Sequence, residues 1–339
     1  MKAIVYTEYG APEVLHLAEM AKPAPAANEL LVRVHAAAVS FGDLMARNFG
    51  NVSASEFNML ALFYFPARIT FGWGKPKQPI LGSAYAGVVA AVGSAVTRFQ
   101  PGDAVFGYRG PRMGAYAEYL CAAEGDIVAH KPAGVSFAEA AAVPYGALTA
   151  LTLLRRVDLQ PGQRVLILGA SGGIGAALVQ LTRQRGARVT GVCSTPRLAY
   201  VQALGAEEVI DYTQEDFTAR GATYDLIFDI LGRSSFDRCK GVLKPNGVYF
   251  PVSFKMKAVG QMLWTKMFGG QKVICALSDE TPADLEMIRE LIDAGKYTTS
   301  IDRTFPPEQA ADAHRYCEAG QQQGSVVIQM AEETEKLFA

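Results

Sequence analysis

Cysteine and histidine are sparse in this sequence, and neither is grouped as a metal site or a disulfide framework requires. The four histidines are dispersed, and no C-x-x-C pair occurs in the 339 residues. The five cysteines are equally scattered: Cys121, Cys193, Cys239, Cys275 and Cys317. This usage is typical of reduced thiols in a cytosolic protein, and it argues against a zinc knuckle and a disulfide-stapled secreted domain.

A surplus of one charge and a long hydrophobic run are also missing. The formal net charge is −1, which gives no electrostatic reason to bind nucleic acid or an anionic membrane. The most apolar window, Phe57–Phe65, is far shorter than the ~20 residues that span a bilayer. The first residues look like a strand and lack the long apolar region of a signal peptide. We therefore expect a cytoplasmic protein whose partner is a small molecule.

What the sequence does contain is a strand, a glycine-rich turn and a helix in direct succession. Arg164–Leu168 is a short apolar run typical of a buried parallel strand. Gly169–Gly175 holds four glycines, and Ile174–Arg185 carries apolar residues at helical spacing. This is the context that a dinucleotide-binding fingerprint requires, although Ala170 stands at the first glycine position of G-x-G-x-x-G.

Each remaining glycine of the fingerprint has a mechanical role. Gly172 lets the backbone approach a pyrophosphate, and Gly175 lets the helix press against the strand. The amides of Ser171, Gly172, Gly173 and Ile174 would then bind the phosphates at the positive end of the helix. The alternative is a tight loop in an α/β domain without nucleotide.

The chain is long enough for two domains. Residues 1–125 show many short strands broken by turns, which suggests a partly open β-barrel. From residue 126 to 278, six strands alternate with helices, as in a doubly wound Rossmann sheet. Residues 279–339 begin with a helix and are expected to return the chain to the first domain. The fold class is therefore α/β.

Some helix boundaries in the second region are also predicted. A capping box at Ser136 opens a helix at Phe137–Val143. Pro144 is expected to separate it from a second helix at Ala147–Arg156. Further along the chain, Ser234–Leu243 has a clear helical pattern.

Residues 50–78 interrupt the β pattern of the first domain with a long, aromatic stretch that has little periodicity. Loops of this length are commonly functional. Its aromatic side chains are expected to pack over a substrate pocket or to form a dimer contact, and Tyr64 is a candidate for contacting substrate.

Five stretches stand out along the chain: L-G-S-A-Y-A-G-V-V-A-A-V-G (81–93), F-Q-P-G-D-A-V-F-G (99–107), A-A-V-P-Y-G-A-L-T-A-L (141–151), G-A-S-G-G-I-G (169–175) and L-G-A-E-E-V-I-D-Y (204–212). Together they resemble the medium-chain dehydrogenase/reductase superfamily along nearly the whole chain, and its zinc-free quinone oxidoreductase-like branch in particular. The resemblance implies a GroES-like catalytic domain around an inserted Rossmann domain. It also implies a homodimer, with Lys272–Ala276 as the pairing edge strand.

The zinc ligands of the alcohol dehydrogenases in that superfamily are replaced here. Ser40, Ser83 and Tyr145 stand where those enzymes use Cys, His and Cys, and Ala84 replaces the glutamate of their G-H-E motif. Hydroxyl groups are poor zinc ligands beside thiolate and imidazole. No metal is therefore expected, and an electron-poor acceptor suits such a site better than a simple alcohol.

The cofactor preference is predicted from the end of the second Rossmann strand. NAD enzymes place an acidic residue there for the ribose 2′-hydroxyl, whereas Val192–Arg197 contains none. Ser194 and Arg197 can bind a 2′-phosphate instead, and Tyr212 resembles a tyrosine that helps hold it in relatives. NADPH is therefore expected, the alternative being a capped helix start with a solvated arginine.

The resemblance implies further site residues. Asp43, Thr149, Leu231, Phe250 and Val252 match cofactor contacts, and Ser40 lies beside the nicotinamide, where asparagine is common in the branch. Tyr145 is the best-placed proton donor, with Ser40 or water as alternatives, unless its ring only fills the space that zinc vacated.

The expected function is transfer of hydride from NADPH to a quinone or an α,β-unsaturated carbonyl without zinc. Two alternatives remain open. One is a zinc-independent carbonyl or alcohol dehydrogenase, and the other is a non-catalytic NADP(H)-binding protein on the same scaffold.

Overall fold

The structure, a computed structural model, describes residues 1–54 and 61–331. Its strands are β1 (Lys2–Val5), β2 (His16–Glu19), β3 (Glu29–Val39), β4 (Ala84–Val92), β5 (Ala104–Tyr108), β6 (Tyr119–Ala123), β7 (Ile127–His130), β8 (Arg164–Leu168), β9 (Arg188–Cys193), β10 (Glu208–Asp211), β11 (Tyr224–Asp229), β12 (Leu243–Pro251), β13 (Lys272–Val273), β14 (Ile301–Phe305) and β15 (Ser325–Gln329). Its helices are α1 (Phe41–Arg47), α2 (Tyr64–Phe71), α3 (Phe137–Arg155), α4 (Gly173–Gln184), α5 (Leu198–Ala203), α6 (Phe236–Cys239), α7 (Met256–Phe268), α8 (Pro282–Asp293) and α9 (Ala310–Glu318).

The chain divides into two compact units. The first comprises Met1–Val52, Pro66–Leu148 and the chain from Glu280 onward, and the second comprises Thr149–Asp279 with the described part of residues 53–65. The first unit thus continues past the boundary expected at residue 125. The physical reason is that β7 pairs with β5 and so belongs to the antiparallel sheet.

The first unit is built on a sheet with the strand order β14-β15-β3-β4-β5-β7, to which β6 adds by pairing with β3. The eleven-residue β3 is its central strand and pairs with β4, β6 and β15. The short ribbon β1–β2 is a separate sheet. Apolar side chains from several strands form one core, among them Leu30, Val32, Val34, Tyr85 and Val105. This arrangement confirms the partly open barrel.

The second unit contains a six-stranded sheet whose pairs are all parallel, in the order β10-β9-β8-β11-β12-β13. Counted from β8, this is the order 3-2-1-4-5-6 of a doubly wound Rossmann sheet. Strand β8 lies at its centre and is buried over Val165–Leu168. The predicted parallel sheet is therefore confirmed.

Two helix predictions are wrong. Helix α3 runs through Pro144 without a break, because its alanine-rich sequence favours helix and its sides are largely buried, which outweighs one missing backbone hydrogen bond. Helix α6 ends at Cys239 rather than Leu243, since Leu243 already pairs with Tyr224 as the first residue of β12.

Helix α3 is also long and apolar enough, by length and composition, to cross a membrane. Of its most apolar window, 72% is buried inside the structure, as in the core helix of a globular protein.

Candidate active site

The glycine-rich turn follows β8 at the carboxyl edge of the parallel sheet. The amides of Gly169 and Ala170 donate to the Val192 carbonyl of β9, at 3.1 and 3.0 Å. Gly169 has a φ of 90°, a left-handed conformation that favours glycine. A Cβ at Gly175 would lie 2.1 Å from the Gly169 carbonyl oxygen, so only glycine allows α4 to approach the turn this closely.

The start of α4 has the geometry of a phosphate site. Gly172 caps the helix without any side-chain hydrogen bond, and both Gly172 and Gly173 are exposed. A Cβ at Gly173 would meet no atom within 4 Å, so open space faces the turn. Ser171 is buried and Ile174 half-buried beside it. The first amides of a helix have no intrahelical acceptor, and they suit a pyrophosphate at the positive end of the dipole.

The ends of β11 and β12 adjoin this turn. The Ile230 amide donates to the Leu168 carbonyl at 3.1 Å, and the Val252 amide donates to the Asp229 carbonyl at 2.9 Å. A Cβ at Gly169 would lie 3.1 Å from Cγ of Leu231, whose side chain is 53% exposed. The structure therefore brings Leu231 and the half-buried Val252 to the edge that holds the glycine turn.

Phe250 and Thr149 differ from these residues in their surroundings. The Phe250 ring is fully buried against Phe228, with 5.5 Å between ring centroids, so that only its main chain is available to a cofactor. Thr149 is buried on α3, one turn after Tyr145. Their cofactor contacts stay predictions.

The residues expected to bind a 2′-phosphate lie at the ends of β9 and β10. Ser194 and Arg197 are half-buried, Tyr212 is 54% exposed, and the Tyr212 amide donates to the Cys193 carbonyl at 3.1 Å. Because β9 and β10 are parallel neighbours, these side chains leave the same edge of the sheet.

Sequence reasoning missed Asp211 beside them. Its carboxylate accepts a hydrogen bond from the Thr195 hydroxyl, and it also accepts from the Thr213 amide and hydroxyl at 2.9 and 2.7 Å. These hydrogen bonds, that from Thr195 foremost, lower the pKa of Asp211. An acidic residue is therefore present near Ser194, but it comes from the third strand. The sequence signal that could have predicted this hydrogen-bonded aspartate is Asp-x-Thr at the end of a strand.

In the first unit, Ser40 and Asp43 form a reciprocal cap at the start of α1. The Ser40 amide and hydroxyl donate to Oδ2 of Asp43 at 2.8 and 2.6 Å, and the Gly82 amide donates to Oδ1 at 3.0 Å. Asp43 is 0% exposed. Its described contacts all lie within this unit, so its predicted contact with a cofactor stays a prediction.

Ser83 completes a chain of three polar groups. Its Oγ lies 3.2 Å from Oγ of Ser40, and its carbonyl accepts from the Arg109 amide at 2.7 Å. Since the single hydroxyl proton of Ser40 points to Asp43, Ser83 is the donor in the serine pair when Asp43 is a carboxylate. The structure thus brings Ser40 and Ser83 together, although 43 residues separate them in sequence.

Burial governs the ionisation of this cluster. Burial raises the pKa of Asp43 to about 6, against the opposing effect of its hydrogen bonds from Ser40, Gly82 and Ser83. Tyr145 is half-buried, with its ring centroid 6.4 Å from that of Tyr108. Burial, and then the charges of Asp43 and Glu280, raise the pKa of Tyr145, so its phenol keeps its proton.

Glu280 is a second residue that sequence reasoning missed. It is half-buried, and its charge raises the pKa of both Tyr108 and Tyr145. It directly precedes the capping box Thr281–Asp284, and nothing in the local sequence signals its proximity to tyrosines more than 130 positions earlier.

The aromatic stretch is partly helical. Tyr64 is half-buried at the start of α2, and Phe71 packs against Phe49 with 5.1 Å between centroids. Leu62, Phe65, Ile69 and Trp73 are exposed, whereas Phe57 lies outside the described residues. The predicted substrate contact of Tyr64 stays a prediction.

Comparison with known proteins identifies both units. Residues 26–151 match the alcohol dehydrogenase GroES-like domain, and residues 204–328 match the zinc-binding dehydrogenase family. The mitochondrial NAD(P)H oxidoreductase RTN4IP1 of Mus musculus is 33% identical over 97% of this chain and 89% of its own length. The chain belongs to the medium-chain dehydrogenase/reductase superfamily.

Other members of the superfamily place it in the quinone oxidoreductase-like branch. The chloroplastic NADPH-dependent alkenal/one oxidoreductase of Arabidopsis thaliana is 31% identical, over 97% of this chain and 79% of its own. The quinone oxidoreductase structure from Coxiella burnetii has a TM-score of 0.83 at 30% identity, covering 98% and 99% of the two chains. That of Escherichia coli, complexed with NADPH, has a TM-score of 0.80 at 25% identity, covering 97% and 100%.

Across residues 1–54 and 61–331, no group of three or more His, Cys, Asp or Glu side chains is placed to hold a metal ion. The resemblance to the superfamily implies that Ser40, Ser83 and Tyr145 stand at the zinc-ligand positions, and this correspondence stays a prediction.

Proposed function

We propose that this protein is a zinc-independent, NADPH-dependent reductase of quinones or α,β-unsaturated carbonyl compounds. The observation that carries the proposal is the Asp43–Ser40–Ser83 cluster at the former zinc-ligand positions, on a chain that also has a complete glycine-turn phosphate site. Relatives with quinone oxidoreductase and NADPH-dependent alkenal/one oxidoreductase activities support the acceptor class.

Donor chemistry supports independence from zinc. Structural and catalytic zinc is held by thiolate, imidazole and carboxylate, whereas the corresponding groups here are two alcohols and a phenol that keep their protons. Asp43 is the nearest carboxylate, and its oxygens already accept from Ser40 and Gly82. An acceptor with its own electron-withdrawing group needs no Lewis acid to polarise it.

The parallel-sheet unit is assigned to cofactor binding. The amides of Ser171, Gly173 and Ile174 hold the pyrophosphate, whereas that of Gly172 already donates to the Gly169 carbonyl at 3.2 Å. Ser194, Arg197 and Tyr212 hold the 2′-phosphate. Leu231, Val252 and the main chain of Phe250 position the nicotinamide half. NADPH supplies a hydride when bound, and the chain supplies orientation and a proton.

The antiparallel unit is assigned to the chemistry of the acceptor, with Tyr145 and the serine pair as candidate proton donors. Ser40 is a poor direct proton donor to the acceptor, although it lies beside Ser83, because its hydroxyl already donates its proton to Asp43. Tyr64 is the candidate for substrate contact from the aromatic stretch.

The experiment is a panel of quinones, enones and aldehydes assayed by loss of NADPH absorbance, with metal analysis of the same sample. Turnover of quinones or enones by zinc-free protein is expected. Stoichiometric zinc would contradict the proposal, and oxidation of alcohols with NADP⁺ in preference to enone reduction would favour a dehydrogenase. Tight NADPH binding without turnover of any acceptor would favour a non-catalytic binding protein.

The protein is further proposed to be a cytoplasmic homodimer. Strand β13 lies at the edge of the parallel sheet, where Lys272 and Val273 pair with β12 and the Ile274 amide donates to the Tyr249 carbonyl at 3.0 Å. Edges of this kind pair readily with another copy. The adjacent α7 exposes five large apolar side chains, which together suit a buried interface: Met256, Leu263, Trp264, Met267 and Phe268.

A further inference from the structure

The Asp43–Ser40–Ser83 chain has a feature that a helix cap alone does not require. A second capping box in the same unit, Thr281–Asp284 at the start of α8, makes the same two contacts to a carboxylate at 2.8 and 2.8 Å. Of these two caps, the one on α1 has its hydroxyl within 3.2 Å of another hydroxyl, that of Ser83, among the residues that the structure describes. Its carboxyl group also binds a second segment of chain through the Gly82 amide.

We propose that Asp43, Ser40 and Ser83 form a proton relay in which the Ser83 hydroxyl donates the proton that completes reduction of the acceptor. This inference rests on the proposed function. Ser83 is the terminal donor, and Asp43 and Ser40 are positioning residues that supply and orient its proton. The relay occupies the positions that bind zinc in the zinc enzymes. There the metal acts as an electrophile, whereas here the relay supplies a proton.

The relay balances in atoms and electrons. The acceptor gains an electron pair and one hydrogen as the hydride that NADPH supplies, and one proton from Ser83. As the Oγ–H bond of Ser83 breaks, the Ser40 proton moves to Ser83, and the carboxyl proton of Asp43 moves to Ser40. Both hydroxyls are restored, and Asp43 is left as a carboxylate. After product leaves, a proton from solvent returns to Asp43 along Ser83 and Ser40.

The direction of the relay depends on the protonation state of Asp43. With Asp43 ionised, its carboxylate accepts from Ser40, and Ser40 accepts from Ser83, so both hydroxyl protons point inward. Ser83 then presents only lone pairs to a ligand. With Asp43 protonated, its own proton can move to Ser40, and the hydroxyl of Ser83 turns outward as a donor.

The groups around Asp43 leave it as the titrating member of the cluster. Among the described residues, the charge of Asp43 contributes to raising the pKa of five side chains from five parts of the unit: Tyr6, Tyr108, Tyr116, Tyr145 and Cys317. Burial, the largest cause in each, raises the pKa of all five, so they stay neutral at physiological pH. Asp43, whose pKa burial raises to about 6, changes charge within the range where enzymes operate.

The test compares wild type, D43N, S83A and the control D284N, which removes the equivalent cap carboxylate outside the cluster. Wild-type kcat/KM for the best acceptor is expected to fall about tenfold per pH unit above pH ~6. D43N is expected to lose that dependence and D284N to keep it. S83A is expected to lose about 10²-fold in kcat, with the NADPH dissociation constant from fluorescence titration unchanged.

Two readouts separate a relay from a structural role. Infrared difference spectra of the full chain are expected to show a carboxyl group titrating near pH ~6 that is absent from D43N and present in D284N. Wild-type turnover in mixtures of light and heavy water is expected to give a curved proton inventory, because more than one proton moves.

The outcomes are distinguishable. If the wild type is active but D43N keeps the pH dependence, the relay alone is overturned. The same holds if S83A keeps the wild-type kcat and Y145F loses activity. Failure of the Asp43 band to titrate overturns it as well. A wild type that binds NADPH but reduces no acceptor overturns the proposed function and the relay with it.

Discussion

Arg197 follows β9 at the edge of the parallel sheet to which we assign the adenosine 2′-phosphate. R197A is expected to raise the KM for NADPH about 10- to 100-fold, because a charge-assisted hydrogen bond to phosphate contributes roughly 1.5–3 kcal/mol. The KM for NADH should barely change. Steady-state kinetics with both cofactors measure the effect.

A matched control is R188A, at the opposite end of β9. Arg188 is exposed and pairs with Glu207 at 3.0 Å, so its removal should leave both KM values unchanged. Equal losses with NADPH and NADH in R197A would show that Arg197 does not bind the 2′-phosphate.

His314 makes the stability of the first unit depend on pH. It is fully buried, its Nδ1 accepts from Nη1 of Arg47 at 3.1 Å, and its Nε2 therefore donates to the Tyr116 hydroxyl at 3.2 Å. Burial, with the charge of Arg47, lowers the pKa of His314 to about 3. Below its unfolded pKa of about 6.5, the unfolded chain binds a proton that the folded chain excludes, so stability falls with falling pH.

H314Q keeps an acceptor for Arg47 and removes this titration. The variant should therefore gain stability relative to wild type as pH falls from ~6.5 toward ~4, by up to about 1.4 kcal/mol per pH unit. Below pH ~6, Asp43 makes stability rise as pH falls, because its pKa is raised in the folded protein. This contribution is the same in wild type and H314Q, so it cancels when their free energies of unfolding are compared. Urea unfolding at several pH values measures this, and a pH-independent difference would contradict it.

At the scale of secondary-structure elements, alanine substitutions at two glycines in and after the turn between β8 and α4 are expected to have opposite effects on stability and NADPH binding. G173A should fold normally, since its Cβ meets nothing within 4 Å, but it should weaken NADPH binding at least several-fold by filling the phosphate cradle. G175A should lose stability by about 1–3 kcal/mol, because its Cβ would lie 2.1 Å from the Gly169 carbonyl oxygen. Thermal unfolding and NADPH titration of the two variants distinguish these effects.

The same turn shows what a sequence can specify. Strand, glycine turn and helix are adjacent in the chain, and the capping box between Ser136 and Glu139 spans only four residues, so local patterns predicted both. The contact of Ser40 with Ser83 joins two segments, and Asp211 reaches Thr195 from a neighbouring strand. Such contacts join residues that are far apart in the sequence, so patterns among neighbouring residues do not predict them.

Helix α3 illustrates a different failure. A proline costs the same backbone hydrogen bond in any helix, but here burial of Leu148, Leu151 and Leu154 along the same helix more than offsets that cost. Local rules alone therefore predict a break that the complete molecule does not contain.

At the scale of the whole molecule, the proposed dimer makes the exposed face of α7 testable. The double variant M267K/F268K places two charges on side chains that are 75% and 65% exposed. It should convert the dimer to a monomer of half the mass in light scattering, without loss of helix content. M287K, on the exposed side of α8, is the control and should remain dimeric, whereas a monomeric wild type would contradict the proposal.

The place of β15 in the first sheet has a consequence for biosynthesis. It lies between β14 and the central strand β3, and Val326 pairs with Val39. A ribosome at ~5–20 residues per second needs about 15–60 s to make the chain between these partners. Meanwhile β3 has an open edge, whereas all six strands of the parallel sheet lie in one stretch of chain, from Arg164 to Val273, and can pair with one another. Nascent chains halted before Ser325 should therefore contain a protease-resistant nucleotide-binding unit and a protease-sensitive N-terminal region.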